Sequence, residues 1–179
     1  MKEIHYYVFD TDLGACGIAW TVPEQHNYNP DVVFLQLPDM DATEERIAVS
    51  TGGRRSDSPP PFITGIAERI REHLNGKAQD FTDISVNVEG MGHFTQQVLA
   101  ACRKIPAGKT MSYSELAQAI QRPKAARAVG QALARNPIPL IIPCHRVLTR
   151  AGRAGGYSAP GGVETKKRIL AREGVVIKA

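Results

Sequence analysis

SYSELAQAIQRPKAARAVGQALA, residues 112–134, sets the architecture of the second half of this chain. Ser112 and Glu115 stand three apart, the spacing at which a serine oxygen and a glutamate carboxylate satisfy each other's free backbone amides. A helix is therefore expected from Tyr113 to about Ile120. Gln121-Arg122-Pro123 breaks it, because proline has no N–H and disfavours a helical residue before it. A second helix is expected from Lys124 to Ala134, and two helices so tightly joined have the pattern of a helix-turn-helix. Ala125, Ala126, Ala128, Gly130 and Ala132 leave this second helix almost without bulk, with Arg127 projecting among them. Small residues let a helix backbone come close to whatever it meets, and a protruding arginine suits a phosphate or a base stack. Close packing inside a core is the competing explanation for the same residues.

Working upstream, Phe94, Val98, Leu99, Cys102 and Ile105 recur at helical spacing, and that helix should stop at Pro106-Ala107-Gly108 with Cys102 as a buried core thiol. Ile63, Ile66, Ala67, Ile70 and Leu74 mark an earlier amphipathic helix ending near Asn75-Gly76. Nearer the N-terminus, Ile4–Phe9 and Cys16–Val22 read as strands around the turn Asp10 to Gly14, and Val32–Leu37 as a third. Asp41 is expected to cap a short helix from Ala42, and Ser50–Pro61 to be a loop. The fold class is α/β: a small N-terminal antiparallel sheet with helices over residues 1–90, then a mainly helical domain over 91–179 containing the helix-turn-helix. Gly90 and Gly92 interrupt the pattern at the boundary.

With 42% hydrophobic residues in 179, the chain can bury a substantial core. It has no apolar run of the roughly 18 residues that a membrane span needs, and its start does not read as a signal peptide, so an intracellular, cytoplasmic location is expected, nuclear in a eukaryote. Cys16, Cys102 and Cys144 form no CxxC pair and read as reduced thiols. Cys16, His5 and His26 are too few and too irregularly spaced for a zinc site, and His73 and His93 read as surface residues. No metal or cofactor is expected. Charge is divided sharply. Residues 1–93 hold 7 Lys and Arg against 15 Asp and Glu, a net −8, whereas residues 94–179 hold 15 against 3, a net +12. A polycationic half favours a polyanionic partner, through the counterions released when Lys and Arg meet phosphates.

Asn136-Pro137-Ile138-Pro139-Leu140-Ile141-Ile142-Pro143-Cys144-His145-Arg146-Val147 carries the chemistry. Its prolines favour extended backbone, so an apolar strand edge is expected to deliver a cysteine and a histidine where core meets solvent. A thiol becomes a nucleophile once deprotonated, an imidazole can take the proton, and a carboxylate can hold that imidazole. Neighbours on a regular strand point to opposite faces, so the backbone must turn if His145 is to reach Cys144. The basic half contains only three acids. Glu115 is explained by capping and Glu164 by the start of the last helix. Glu173 lies at that helix's C-terminal end, where a negative charge opposes the dipole and needs another reason.

At these residues the chain resembles the O6-alkylguanine-DNA alkyltransferases, also called methylated-DNA-protein-cysteine methyltransferases. Pro143-Cys144-His145-Arg146-Val147 is similar to their active-site motif. The likeness extends from Phe94 to Glu173 through Ile105-Pro106-x-Gly108, Ser112-Tyr113-x-x-Leu116-Ala117, Pro123 to Gly130 and Asn136-Pro137, while the first 90 residues show only a general likeness. Gly92-His93-Phe94 replaces a more usual Thr-Pro-Phe, and Ala159-Pro160 lengthens a loop. The resemblance implies that Cys144 accepts an alkyl group from O6-alkylguanine in double-stranded DNA, activated by His145 through a bound water, with Glu173 orienting the histidine. It implies that Ala125, Ala126, Ala128 and Gly130 approach the minor groove, that Arg135 also contacts DNA, and that Arg127 fills the space of the flipped nucleotide. Tyr113 would turn the adjacent phosphate and donate a proton toward N3. Asn136 would brace the turn, and Tyr157 and Ser158 would form the pocket wall. The carbonyls of Cys144 and Val147 would accept from the exocyclic amine. A monomer is expected. Two other readings stand beside this one: a protein that binds alkylated bases and signals without transfer, and a cysteine hydrolase, although no Gly-rich turn precedes Cys144.

Overall fold

The computed structural model describes residues 2–22 and 30–178. Strand β1 (Ile4–Thr11) pairs antiparallel with β2 (Gly14–Thr21), which pairs antiparallel with β3 (Val32–Gln36). Alternation along these strands sends Tyr6 and Ala19 to one face, where helix α1 (Thr43–Thr51) covers them with Ile47, and Phe9, Cys16, Ile18 and Trp20 to the other, beneath the core. Gly17 is needed for the first packing, since a Cβ there would stand 2.9 Å from the Ile47 side chain. Two details differ from the sequence reading. A 3-10 turn at Met40–Ala42 leads straight into α1, Asp41 caps nothing, and the Thr43 hydroxyl instead accepts the Asp39 N–H. The expected loop at 50–61 includes the end of α1 and a two-residue strand, β4 (Arg54–Arg55), parallel to β1, giving the order β3-β2-β1-β4. A pair of arginines carries no alternating pattern; backbone pairing alone makes it a strand, and its charges suit an exposed edge.

Helix α2 (Pro61–Leu74) starts on a proline, whose missing N–H costs nothing at that position, and ends at Asn75 before Gly76. The second half holds α3 (His93–Cys102), α4 (Tyr113–Ala119), α5 (Ala126–Leu133) and α6 (Gly162–Arg172), with a short parallel pair, β5 (Met111–Ser112) and β6 (Val147–Leu148). Both bonds of the Ser112–Glu115 capping box are present, at 3.1 and 2.6 Å. Helix α5 begins at Ala126 rather than Lys124, Ala125 being its non-helical cap. One contiguous buried cluster extends from Phe9 through Leu99, Val129 and Cys144 to Ile169, and Leu35 N–H donates to the Pro137 carbonyl at 2.9 Å. The sheet is thereby tied to the segment that precedes Cys144.

Candidate active site

The apolar strand expected ahead of Cys144 is not formed. Residues 136–142 are turns, organised by the Asn136 side chain, whose Oδ1 accepts the Ile138 N–H at 3.0 Å and whose Nδ2 donates to the Ile142 carbonyl at 2.8 Å. Three prolines in eight residues remove the donors a strand ladder needs, and an asparagine supplies the substitute bonds. Cys144–Arg146 then form a single 3-10 turn leading into β6. Successive residues in such a turn are about 120° apart rather than opposed, so the facing problem of a strand does not arise.

Cys144 is 7% exposed, and its Sγ receives Asn136 Nδ2 at 3.2 Å. Burial pushes the thiol above its usual range, while the Asn136 hydrogen bond and the charge of Lys166 pull it back. The sulfur therefore rests as a thiol and ionises when its proton is drawn off, instead of standing as the thiolate that a low-pKa cysteine would be. His145 is fully buried and donates from Nε2 to Glu173 Oε1 at 2.8 Å; its Nδ1 has no hydrogen-bond partner among the described residues. Because a carboxylate can only accept, the proton of a neutral His145 sits on Nε2 and Nδ1 is the basic atom. Burial lowers the proton affinity of this ring and Glu173 raises it, the first effect being larger.

Glu173 caps the C-terminal end of α6 with its carboxylate fully buried. Burial alone would raise its pKa, but hydrogen bonds from His145, His73 and Arg146 outweigh this and hold it far below the usual carboxylate range. Arg146, 5% exposed, donates to both oxygens and also to the Ile105 carbonyl. His73 corrects the sequence reading: it is fully buried at the end of α2, with Nε2 2.8 Å from Glu173 Oε1. Its position three after Ile70 and seven after Ile66, on the apolar face, was the available signal. His93 is exposed, as expected; His26 lies outside the described residues.

A cleft of about 490 Å³ opens onto Cys144, lined by Tyr113, Arg127, Gly130, Tyr157 and Ser158 among others. Tyr113 begins α4, and the loop at 155–158 passes so close that a Cβ on Gly155 would meet the Tyr113 hydroxyl at 3.0 Å; Gly155 also has φ +62. Burial raises the pKa of Tyr113 and, more strongly, of Tyr157, keeping both hydroxyls protonated. Helix α5 turns Val129, Ala132 and Leu133 inward, leaving Arg127 exposed and Ala125, Ala126, Ala128 and Gly130 half-buried. Arg135 is exposed and contacts Thr95 Oγ1 at 3.3 Å. The Cys144 and Val147 carbonyls already accept from Val147 N–H and Lys166 Nζ, so each retains one lone pair for a ligand. Lys166 was missed by the sequence reading, although it stands three and four residues before Ile169 and Leu170 on the buried face of α6. Its Nζ lies 2.6 Å from the Val147 carbonyl and about 6 Å from the Tyr113 and Tyr157 rings, and burial lowers its pKa to about 8.

The arrangement combines a shielded sulfur, a histidine with its basic atom free, a fixed carboxylate, and a cleft bordered by a helix-turn-helix. Among the described residues no cluster of His, Cys, Asp and Glu could hold a metal, and no helix is long and apolar enough to cross a membrane. The family described as 6-O-methylguanine DNA methyltransferase, DNA binding domain, matches residues 93–175. A methylated-DNA–protein-cysteine methyltransferase of Mycobacterium bovis is 39% identical over 171 residues, 95% of this chain and 92% of that protein. A protein of the same name from Methanothermobacter thermautotrophicus is 43% identical over 122 residues, 68% of this chain and 66% of its own length. Among solved structures, Mycobacterium tuberculosis OGT in complex with DNA superposes with a TM-score of 0.74 at 28% identity, covering 94% of this chain and 92% of that one.

Proposed function

The chain belongs to the methylated-DNA–protein-cysteine methyltransferase family, and from that premise we propose that it repairs DNA by moving an alkyl group from O6 of guanine onto Cys144. The observation that carries this reading is the sulfur at the floor of a cleft walled by α5, with the His145–Glu173 pair behind it. His145 Nδ1, through a bound water, takes the Cys144 proton, and Glu173 stabilises the resulting imidazolium. The sulfur attacks the alkyl carbon, a C–S bond forms, the C–O6 bond breaks, and guanine leaves as an anion. Tyr113 donates a proton toward N3, and the proton held on His145 passes through solvent to restore the Tyr113 hydroxyl, so the sum is thiol plus alkylated base giving thioether plus guanine. Ser158 and Tyr157 bound the base, and Asn136 keeps the sulfur aimed. Water does not hydrolyse a thioether, so each molecule acts once.

A duplex base must leave the stack to reach a sulfur this shielded, at a cost of a few kcal/mol. Arg127 fills the space it vacates, the small residues of α5 allow the minor groove to come near, and Arg135 with the rest of the +12 half engages phosphates. Residues 91–179 form the part that reads DNA and transfers the group, and 1–90 the domain that supports it. The protein acts as a monomer inside the cell. The test is mass spectrometry of wild type and Cys144→Ala after incubation with a duplex carrying O6-methylguanine. One added methyl on the Cys144 peptide is expected, and its absence with the lesion intact would overturn the proposal.

A further inference from the structure

Two imidazoles converge on one oxygen. Glu173 Oε1 accepts from His145 Nε2 and from His73 Nε2, each at 2.8 Å, and from Arg146 Nη2 at the same distance. The two rings differ in their second nitrogen. His73 Nδ1 receives the backbone N–H of Gln79 at 3.0 Å, whereas His145 Nδ1 has no partner among the described residues. A backbone amide can only donate, so His73 Nδ1 must be an unprotonated acceptor and its single proton must sit on Nε2, facing Glu173. The Phe81 ring, 5.3 Å away, packs against it.

Resting on the reading of His145 and Glu173 as a proton relay, we infer that His73 is a positioning residue. It is a second donor that fixes Glu173 Oε1 and divides the carboxylate's charge, thereby setting the proton affinity of His145. Without it, more of the charge on Glu173 falls to His145, which then holds a proton to higher pH. The charged and titratable groups facing this centre are few. Arg146 contacts Glu173 directly, Tyr157 lies within reach of the Glu173 charge and Cys102 within reach of Arg146, and Lys166 bears on Cys144, the residue before His145. On α2, Arg71 pairs with Glu68, and Glu72 pairs with Lys77 across 3.8 Å.

The experiment is a titration of ring nitrogens by 15N NMR on the full chain, which requires no lesion DNA. In His73→Phe, a hydrophobic ring of similar size, the His145 midpoint is expected to rise by about one pH unit, one hydrogen bond to a charged group being worth roughly tenfold in proton affinity. His73→Gln retains an N–H donor and should bring the midpoint back toward wild type. The acid limb of the Cys144 alkylation rate should follow the same shifts. A folded His73→Phe protein with an unmoved His145 midpoint would overturn the inference. Should that variant not fold, the wild-type spectrum decides: a His73 proton on Nε2 supports it, and a proton on Nδ1 refutes it. Failure to alkylate Cys144 would sink the proposed function while leaving this titration readable.

Discussion

Glu173→Gln keeps the shape of the buried carboxylate and removes one charge, so its consequences can be worked out atom by atom. The amide oxygen can take the place of Oε1, which serves both histidines, and the amide nitrogen then falls where Oε2 now accepts Arg146 Nε at 3.1 Å. Two donors meet there, and a guanidinium that is only 5% exposed loses its counter-charge. Breaking a buried ion pair in this way costs about 3–5 kcal/mol. In wild type the folded carboxylate is held far below its ordinary 4.5, so its stabilisation is complete above about pH 4.5 and is lost as pH falls toward the folded value. Urea melts of the two proteins should therefore differ by that amount near neutrality and converge in acid. Transfer should suffer too. The imidazolium formed when Cys144 loses its proton would face a neutral amide, and a fall of at least about a hundredfold in the single-turnover rate is expected. A folded variant that transfers at the wild-type rate, or a stability difference that does not narrow in acid, would refute the reasoning.

Arg127→Ala removes an exposed side chain at the rim of the cleft, so stability should change by less than about 0.5 kcal/mol. Transfer from duplex DNA should fall while transfer from free O6-methylguanine base is unaltered; equal losses on both would place Arg127 in the chemistry instead of in base extrusion. Lys166→Met preserves length and removes the buried cation that favours ionised Cys144, so alkylation of the thiol by iodoacetamide should require higher pH. Because the folded pKa of Lys166, about 8, lies below its ordinary 10.5, wild type should gain stability relative to Lys166→Met as pH rises between those values, a window that equilibrium unfolding can scan.

The parts of this molecule that local rules govern were legible in its sequence. The Ser112–Glu115 box fixed the start of α4 because both of its hydrogen bonds are made within one turn. Glu173 drew attention because a carboxylate at a helix C-terminus is locally unfavourable, and the structure answers with three donors from distant segments. What escaped was set by partners far along the chain. His73 and Lys166 carry polar labels on apolar faces, and only the carboxylate or carbonyl waiting in the core makes their burial tolerable. The turn before Cys144 was read as a strand because isoleucines and prolines favour extended backbone; the Asn136 side chain outcompetes that preference by supplying the bonds a ladder would have made.

The bond from Leu35 N–H to the Pro137 carbonyl joins main chain to main chain. The bond itself needs only a peptide N–H, which any residue but proline supplies, while the Leu35 side chain, 1% exposed, adds an anchor of its own in the core. Strand β3 thus steadies the segment ahead of the sulfur from within the acidic half of the chain. A support that works partly through peptide groups is one that residue identities alone do not reveal.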